Sequence, residues 1–491
     1  MGNAVIILLH PRTTKLKNRR FPLSVLSLAA VLEGKEDYVV IDGNVDSEPR
    51  ETLDRVMQET PAELLAVSVM PGPQMVAALP LCREFREKYP SVPIVWGGYF
   101  PSLYTDAVLN SDYVDYAVRG PGQDTVVELI AALRSGSDLG AIAGLSYTDN
   151  GGTHRHSPER PFGSPNDYPW PPYHRIDTAK YILPTFLGRR TAVHEASLGC
   201  PYSCNFCGVI TAYGSRQKME EPARTEAVLR YLKDNYAIDA VQFYDNNFFL
   251  REDHAREQAD CFQALDLRWW CEARIDIVLG YSDTTLQALK QAGATMIFFG
   301  AESGSDWVLE EMNKQLKAEQ TLELARRLKD FEIVPEFSFV VGNPRDPQRD
   351  IDEAITFIRK IKSLNPDAEI ILQHYIPTPQ RSKMYGEVEE QITFPETLEE
   401  WATERWYNFT VRSEPNLPWL PAPLKQRVDD FETVVSSRWP TSQDFRMPRW
   451  GRGLLKTLAS WRYASGVYGH PRELRWAQRF VQLRKPQVES V

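Results

Sequence analysis

The chain has 491 residues, of which 43% are hydrophobic and 25% charged, and it carries a net charge of −10. This length exceeds one ordinary hydrophobic core, so we expect two or three domains, and the acidic composition argues against general nucleic-acid binding. The N-terminal apolar run is far shorter than the roughly 20 residues that span a bilayer, and it lacks a cleavage site, so we expect no signal peptide. Six unevenly spaced cysteines make no disulfide framework and favour a reducing, cytoplasmic location.

Residues 1–150 alternate short apolar strands with helices. The predicted strands are NAVIILLH, DYVVIDGN, LLAVSVMP, VPIVWGG and YAVRG. Each run is apolar throughout, as expected for a strand that is covered on both faces. The pattern predicts an α/β domain with a parallel, doubly wound, flavodoxin-like sheet that binds ligands at the carboxyl ends of its strands.

A second alternation follows a linker, predicted at 151–190, that is rich in Gly, Pro and His. Between residues 191 and 393 the predicted strands are TAVHEASLG, AVQFYDN, RWWCEARI, TMIFFGAE, VPEFSFVVG and EIILQHYIP. Six units are too few for the usual eight-stranded closure, so we predict a partial TIM-type (β/α)6 barrel. Residues 394–491 are predicted to form a mainly helical C-terminal region.

The stretch LGCPYSCNFC places Cys200, Cys204 and Cys207 in a C-x3-C-x2-C spacing after a predicted strand. Thiolates in such a loop can converge on one soft-metal centre. Zinc usually takes paired C-x2-C halves, whereas the other three cysteines are scattered. Three thiolates on a [4Fe–4S] cluster leave one iron open to a small molecule, and structural zinc or a chance spacing is the alternative.

This motif, with an aromatic residue before the third cysteine, resembles the signature of the radical S-adenosylmethionine (SAM) superfamily. In that family SAM chelates the open iron. An electron from the cluster then cleaves SAM to methionine and a 5′-deoxyadenosyl radical. The resemblance therefore implies a [4Fe–4S] cluster, SAM and an electron donor such as flavodoxin or ferredoxin.

The resemblance extends along the second alternation and implies a SAM-binding set at its strand ends. Phe206 is expected at the adenine, and FYDNNF, CEARID, GAESGSDW and FVVGNP supply the other positions; HYIPTPQRSKMY resembles the family's sixth-strand turn. A structural ion pair is the alternative for each charged residue. The implied set is Phe206, Asp245, Asn246, Arg274, Glu302, Ser303 and Gly342.

Joined to such a barrel, the first domain resembles the cobalamin-binding domain of the B12-dependent branch. PLSVLSLAAVLEG, WGGYFPSLYTDAVLN and AVRGPGQDTVVELI carry this resemblance, although Pro121 and Gln123 replace the acidic residues usual there. A degenerate domain without ligand is the alternative. The implied cobalamin contacts are His10, Pro11, Asp42, Gly43, Met70, Gly97, Gly98, Arg119, Gly120 and Gly122.

The residue expected to coordinate cobalt from below differs from that in classical methyl-transferring B12 domains. Those domains supply a histidine from an Asp-x-His-x-x-Gly loop, and in the corresponding IDGNVD stretch Asn44 stands at that position. His10 lies on a different loop, where a strand-end histidine bonded to backbone is the alternative to a cobalamin contact. We therefore predict that no histidine lies near Asn44 and that bound cobalamin lacks a histidine ligand.

With both cofactors, the resemblance implies a C-methyltransferase in which the radical removes a hydrogen from an unactivated carbon and methylcobalamin supplies the methyl group. The anaerobic oxidative cyclase of chlorophyll precursors and enzymes acting on lipids or hopanoids share the architecture, so oxidation, ring closure or C–C coupling stays open. A non-catalytic iron–sulfur or B12 sensor is the alternative of another class. Six aromatic residues either line the substrate pocket or belong to the core: Phe298, Phe299, Phe337, Phe339, Trp401 and Trp406.

The C-terminal tail is basic although the protein is acidic. From Phe445 to Gln487 ten Arg and Lys residues surround Trp450, Trp461 and Trp476, and only Glu473 opposes them. Two interpretations stay open: a solvated helical tail packed on the body, or peripheral contact with anionic lipid headgroups. The substrate is expected to be a small or lipid-like molecule.

Overall fold

The computed structural model describes residues 4–14, 19–377, 383–411 and 416–483. Its N-terminal part contains a seven-stranded sheet with helices on both faces. The elements of this part are β1 (Val5–His10), α1 (Leu23–Leu32), β2 (Tyr38–Asp42), α2 (Pro49–Glu59), β3 (Ala62–Ser68), α3 (Pro73–Lys88), β4 (Ile94–Gly97), α4 (Tyr99–Leu103), α5 (Thr105–Leu109), β5 (Tyr116–Val118), α6 (Gln123–Ser135), β6 (Leu145–Thr148) and β7 (His154–His156).

The first sheet has the strand order β2-β1-β3-β4-β5-β6-β7. Strands β1–β5 are parallel and correspond to the five predicted strands, which confirms the α/β fold of this part. The order reverses between β1 and β3, so the sheet opens a crevice at the carboxyl ends of these two strands. The antiparallel pair β6–β7 was not predicted, and β7 lies inside the segment assigned to the linker.

The second part is a six-stranded, all-parallel sheet in the order β15-β14-β13-β12-β11-β8. All six predicted strands are present, which confirms the partial barrel. A separate antiparallel hairpin, β9–β10, carries the cysteine motif. The elements of this part are β8 (Thr191–His194), β9 (Ser197–Cys200), α7 (Val209–Tyr213), β10 (Arg216–Met219), α8 (Pro222–Tyr236), β11 (Ala240–Phe243), α9 (Glu252–Gln263), β12 (Arg268–Ala273), α10 (Ile275–Leu279), α11 (Asp283–Gln291), β13 (Ala294–Glu302), α12 (Asp306–Glu311), α13 (Ala318–Asp330), β14 (Val334–Val341), α14 (Pro347–Leu364) and β15 (Glu369–His374).

The remaining described chain is helical, as predicted. The helix over Ala422–Arg438 packs against α14 on the outside of the barrel. The segment after this helix reaches the barrel itself, where the Ser442 amide donates to Glu369 at 2.7 Å. Arg484 and Lys485 of the predicted basic tail, and most of the PTPQRS turn, lie outside the described residues. The helices are α15 (Lys383–Gly386), α16 (Leu398–Trp401), α17 (Glu404–Thr410), α18 (Ala422–Arg438), α19 (Arg449–Ser465) and α20 (Arg472–Val481).

Most of the six aromatic candidates belong to the core. Trp401 is fully buried and packs on Phe100 and Tyr104 of the N-terminal part, with ring centroids 5.5 and 4.3 Å away. Phe298 alone of the six lies on the opposite face of the barrel sheet from the helices, in a small cluster with Trp270 and Met296. The other four are buried in the main core: Phe299, Phe337, Phe339 and Trp406.

No helix in the described part of the chain is long and apolar enough to cross a membrane.

Candidate functional site

The cysteine motif begins at the end of β9 and occupies the loop that leads to β10. Gly199 has φ +77°, and a Cβ at this position would lie 2.3 Å from the carbonyl oxygen of Arg216 on β10. Only glycine therefore fits immediately before Cys200 without displacing the hairpin. The loop is fixed at its far side by two amides: Asn205 Nδ2 donates to the Glu311 carbonyl at 2.8 Å, and Asn313 Nδ2 donates to the Ser203 carbonyl at 2.9 Å.

The three cysteines of the motif influence one another's pKa values electrostatically. Burial, together with the neighbouring Cys204 and Cys200, raises the pKa of Cys207 to about 12; burial and Cys204 also raise the pKa of Cys200. Within the described ranges, no group of three His, Cys, Asp or Glu side chains is arranged around a single metal ion. An iron–sulfur cluster binds each thiolate at a different iron and needs no shared coordination sphere, so this donor set fits a cluster.

Arg274, at the end of β12, lies against the middle cysteine. Its Nη1 is 3.7 Å from Cys204 Sγ, and its guanidinium lies 3.6 Å from the centroid of the Tyr202 ring. Asp276 accepts two hydrogen bonds from it, at 3.0 and 3.1 Å, and the Lys314 carbonyl accepts another at 2.7 Å. Arg274 therefore places a fixed positive charge beside Cys204.

Glu302 ends β13 and forms a buried ion pair that the sequence did not indicate. Lys314 Nζ lies 2.7 Å from Glu302 Oε1, and both side chains are buried. Burial alone would lower the pKa of Lys314, but Glu302 and Cys204 outweigh burial and raise it. A Cβ at Gly300 would lie 2.1 Å from Glu302 Oε1, so glycine leaves the space that this pair occupies. Lys314 Nζ is also 5.9 Å from the Phe206 ring centroid.

Asp245, after β11, has an unsatisfied oxygen in the cleft. Its Oδ2 accepts from the Ala196 amide at 3.2 Å, while the fully buried Oδ1 has no partner among the described residues. Burial raises the pKa of Asp245 to about 7, against hydrogen bonds from Ser197 and Ala196 that lower it. Asn246 is exposed, whereas Asn247 is fully buried with its own Oδ1 unpartnered in the described chain. The inward-facing amide is therefore Asn247, which the sequence analysis missed.

Ser303 and Gly342 are held at neighbouring strand ends by one acid, Asp350 of α14. The Gly342 amide donates to Asp350 Oδ2 at 2.8 Å and the Ser303 hydroxyl to Oδ1 at 3.4 Å. Burial raises the pKa of Asp350 to about 6, although these hydrogen bonds oppose the rise. Gly342 has φ +88°, which favours glycine at this turn. Asp350 therefore aligns the ends of β13 and β14.

Two acidic side chains, Glu272 and Glu336, lie beside aromatic rings on the face of the barrel sheet that is turned away from the helices. Trp270 Nε1 donates to Glu336 at 3.1 Å. Burial, together with Glu336 and Asp245, raises the pKa of Glu272 to about 8, although Arg20 of the N-terminal part opposes the rise. The Arg20 guanidinium lies 5.3 Å from the Tyr244 ring centroid. The first domain thus reaches into the barrel.

In the N-terminal part, the ends of β1 and β2 form a closed hydrogen-bond network. His10 Nδ1 lies 3.0 Å from Asp42 Oδ1 and 3.3 Å from Asn44 Nδ2. Asp42 also accepts from the Asn44 amide at 2.9 Å and from the Tyr181 hydroxyl. The expectation that no histidine lies near Asn44 is therefore wrong, because the parallel neighbours β1 and β2 place His10 opposite Asp42. The prediction that cobalt lacks a histidine ligand stays untested.

The glycine-rich turns after β4 and β5 lie against α7, directly after the third cysteine. A Cβ at Gly208 would lie 1.4 Å from the Tyr99 hydroxyl oxygen, and a Cβ at Gly120 would lie 3.0 Å from the Ala212 carbonyl. Gly98, with φ +99°, packs on the end of β3. The predicted cobalamin turns and the cysteine loop are therefore direct neighbours.

The other predicted cobalamin contacts are placed as follows. Arg119 donates to Ser146 at 2.8 Å and to the Ser157 carbonyl, so its guanidinium joins β5 to the β6–β7 pair. Gln74 ties Met70 to Pro11 by accepting from the Met70 amide at 2.8 Å and donating to the Pro11 carbonyl at 3.3 Å. The remaining three are glycines: Gly97 ends β4, Gly43 directly follows β2, and Gly122 directly precedes α6.

Two family models match the chain, a B12-binding domain over residues 9–130 and the radical SAM superfamily over residues 195–358. The chain is a radical SAM enzyme that carries a B12-binding domain. The first match runs from the end of β1 into α6, and the second runs from the residue after β8 into α14. The cofactors that these domains imply are cobalamin, SAM and a [4Fe–4S] cluster.

Among curated proteins, the enzyme is 26% identical over 344 residues to an uncharacterized methyltransferase of Pyrococcus horikoshii, covering 69% of this chain and 73% of that one. It is 24% identical to the anaerobic magnesium-protoporphyrin IX monomethyl ester cyclase of Synechocystis, covering 75% and 73%. A cytidylyl-2-hydroxyethylphosphonate methyltransferase of Streptomyces wedmorensis is 23% identical, covering 69% and 73%.

Solved structures show the same fold over nearly the whole chain. The methyltransferase TsrM of Kitasatospora setae, with cobalamin and a [4Fe–4S] cluster bound, matches with a TM-score of 0.66 and 17% identity, covering 98% of this chain and 99% of that one. The radical enzyme OxsB, with aqua-cobalamin and SAM bound, matches with a TM-score of 0.69 and 15% identity, covering 98% and 75%. At these identities the likeness concerns the fold.

Proposed function

We propose that the enzyme transfers a methyl group to an unactivated carbon of its substrate. The observation that carries this proposal is the contact between the cysteine loop and the turns of the B12-binding domain, where Gly208 and Tyr99 fit against each other. When bound, the cluster would supply the electron that cleaves SAM to a 5′-deoxyadenosyl radical, and cobalamin would supply the methyl group. This contact supports a single cleft shared by the two proposed sites, and such a cleft would have to exclude water and other quenchers.

The barrel residues that we propose for SAM are those at the ends of β11–β14. Asp245 keeps one buried oxygen without a protein partner, so it can accept a hydrogen bond from an ammonium group. Lys314 and Arg274 place two cations beside Cys204, where they can offset the negative charge of a thiolate-bound cluster. The other members of the proposed set are Phe206, Asn246, Glu302, Ser303 and Gly342, with Asn247 added because of its unpartnered oxygen.

The cobalamin site that we propose lies at the carboxyl ends of β1–β5, where the turns leave backbone close to the ligand crevice. Arg119 would contact cobalamin through its backbone, because its side chain already donates hydrogen bonds to Ser146 and Ser157. The proposed set is His10, Pro11, Asp42, Gly43, Met70, Gly97, Gly98, Arg119, Gly120 and Gly122.

The test is anaerobic incubation of the reconstituted full-length enzyme with methyl-labelled SAM, cobalamin and a low-potential reductant, or a flavodoxin or ferredoxin as donor. Candidate lipids, tetrapyrroles and amino acids are supplied as substrates. Methylation predicts 5′-deoxyadenosine and S-adenosylhomocysteine in equal amounts and a labelled product. Enzyme that forms no 5′-deoxyadenosine under any of these conditions would overturn the proposal in favour of a non-catalytic sensor.

Oxidative cyclisation without methylation is the second candidate. It is favoured by the match to the magnesium-protoporphyrin cyclase, which equals the methyltransferases in extent. The same incubation separates the two reactions, because cyclisation yields 5′-deoxyadenosine without S-adenosylhomocysteine.

A further inference from the structure

The helices at the C-terminal end of the described chain expose large aromatic side chains. We call residues 445–483, which contain α19 and α20, the C-terminal hairpin. Four of its aromatic side chains are more than half exposed: Trp450 at 59%, Trp461 at 55%, Trp476 at 65% and Phe480 at 60%. Large aromatic residues are usually covered in a water-soluble protein, and a concentration of exposed ones marks an interaction surface.

Three of these rings form one continuous patch. Trp476 and Phe480, one helical turn apart on α20, stack with centroids 5.4 Å apart and planes 9° apart. Phe480 also contacts Trp450 of α19, with centroids 6.1 Å apart. Trp461 follows Trp450 by eleven residues, about three turns, and so lies on the same face of α19. Both helices thus present aromatic rings from one surface.

The hairpin carries eight Arg and Lys residues and one acid, Glu473, which gives it a charge of +7 in a protein whose net charge is −10. Three of the arginines are used inside the fold. Arg452 donates to the Pro440 and Thr441 carbonyls at 3.0 and 2.9 Å, Arg462 binds Glu473, and Arg475 binds Asp430. Arg475 attaches the hairpin to α18, Arg452 attaches it to the segment that reaches the barrel, and Arg462 joins α19 to α20.

The other five cations have no carboxylate partner among the described residues. Arg472 and Arg479 are exposed on α20 on either side of Trp476, and Arg449 precedes Trp450. The aromatic patch is therefore rimmed by unpaired positive charge. The full set is Arg446, Arg449, Lys456, Arg472 and Arg479.

We propose that the C-terminal hairpin docks the enzyme on a membrane surface that contains anionic lipids. Indole and phenyl rings insert at the level of the headgroups, and Arg and Lys around them pair with anionic headgroups. The acidic body repels such a surface, so this basic face is the one that approaches it. The proposal concerns where the enzyme works and does not depend on whether its reaction is methylation or cyclisation.

Two other occupants fit the patch less well. A second copy of the chain in a two-fold dimer would bring two +7 surfaces together, because both copies use the same patch in such an interface. Single-stranded nucleic acid stacks its bases on open aromatic faces, whereas Trp476 and Phe480 cover one face of each other.

The test is co-sedimentation of the full-length enzyme with vesicles of phosphatidylcholine alone or with about 30 mol% phosphatidylglycerol added, so that binding to anionic headgroups is distinguished from apolar binding. We expect binding to the anionic vesicles at least about tenfold tighter than to the neutral ones, with loss at high salt. Trp476→Ala/Phe480→Ala and Arg472→Gln/Arg479→Gln should each weaken binding about tenfold or more. Tryptophan fluorescence should shift to the blue on binding, and less so in the aromatic variant.

Trp170→Ala is the matched control, because Trp170 is exposed at 39% outside the hairpin. It should bind vesicles like the wild type, and thermal melts should show that all variants are folded. Equal binding to neutral and anionic vesicles, no binding to either, or an equal loss in Trp170→Ala would overturn the proposal. A dimer that dissociates in Trp476→Ala/Phe480→Ala while vesicles stay unbound would assign the patch to a second copy, and tight binding of single-stranded RNA without vesicle binding would assign it to nucleic acid.

Discussion

The two sets of strand ends that face each other in this enzyme are built on opposite plans. At the ends of β1 and β2, the polar side chains satisfy one another, as in the network of His10, Asp42 and Tyr181. At the ends of the barrel strands, Asp245 and Asn247 keep buried oxygens without partners in the described chain, and thiols lie beside fixed cations. Unsatisfied buried groups are costly, so the barrel end is prepared for a ligand that completes it, whereas the first domain offers a ligand mainly shape and backbone.

The largest effect should come from removing the middle thiol. Cys204→Ala deletes one of the three proposed cluster ligands, so we expect loss of bound iron and a fall in SAM cleavage of at least about 1,000-fold. Cobalamin binding by the same full-length protein should change by less than about twofold, because its proposed site lies on the first domain. Iron content, 5′-deoxyadenosine formation and cobalamin titration measure these three quantities.

Cys261→Ala is the matched control for that experiment, since Cys261 is partly buried on α9, away from the motif. It should keep its iron and its SAM cleavage. If Cys204→Ala lost cobalamin binding as well as iron, the two strand ends would form one site, and the contrast between them would be wrong.

A smaller effect is expected from breaking the buried ion pair at the barrel end. Lys314→Met leaves Glu302 charged, buried and unpaired, which should cost about 3–5 kcal/mol of unfolding free energy. The double variant Glu302→Gln/Lys314→Met should recover part of this loss, because it removes both charges. Urea unfolding of both proteins, without cofactors, gives the difference.

The control for the ion pair is Arg230→Met, which breaks an exposed i,i+4 pair with Glu226 on α8. Pairs of this kind contribute about 0.3–0.5 kcal/mol. A loss in Lys314→Met no larger than in the control would show that the barrel end tolerates an unpaired charge before any ligand is bound.

The parallel strands of both sheets were predictable because each is a mostly apolar run that is covered on two faces. The antiparallel strands β6 and β7 were not predicted. β7 was missed because its sequence, His154-Arg155-His156, has no apolar residue and pairs only at the edge of the sheet. The proximity of His10 to Asn44 had a usable indication, since β1 and β2 were predicted and neighbouring parallel strands bring their ends together.

The missed site residues had no comparable indication. Lys314 reaches Glu302 only after the chain has passed through α12, and Asp350 reaches Gly342 from the first turns of α14. The choice between Asn246 and Asn247 depends on how the backbone turns after β11, which hydrophobic periodicity does not determine. The sequence therefore predicts that the site lies at the strand ends. The contacts between residues of different loops become known only from the structure.

The pH dependence of stability tests whether Asp245 is strained without a ligand. Its pKa is about 7 in the folded protein and about 3.9 when unfolded. Between these values the folded state holds the proton and the unfolded state does not, so unfolding free energy falls as pH rises. From pH 5 to pH 7 the wild type should lose about 2 kcal/mol more than Asp245→Asn, measured by urea unfolding at each pH. Equal slopes in both proteins would mean that Asp245 is stabilised as a carboxylate by the protein itself.

The smallest effect should come from the closed network of the first domain. Tyr181→Phe removes the hydroxyl that donates to the buried Asp42, at a cost of about 1.5 kcal/mol, while cobalamin affinity should change by less than about twofold. Tyr89→Phe, which removes a hydroxyl 3.3 Å from Asp54 at the surface, is the control and should cost less than about 0.5 kcal/mol. Urea unfolding and cobalamin titration check both values. Unchanged stability with a large loss of cobalamin affinity would show that Asp42 serves the ligand rather than the fold, and the two strand ends would then follow the same plan.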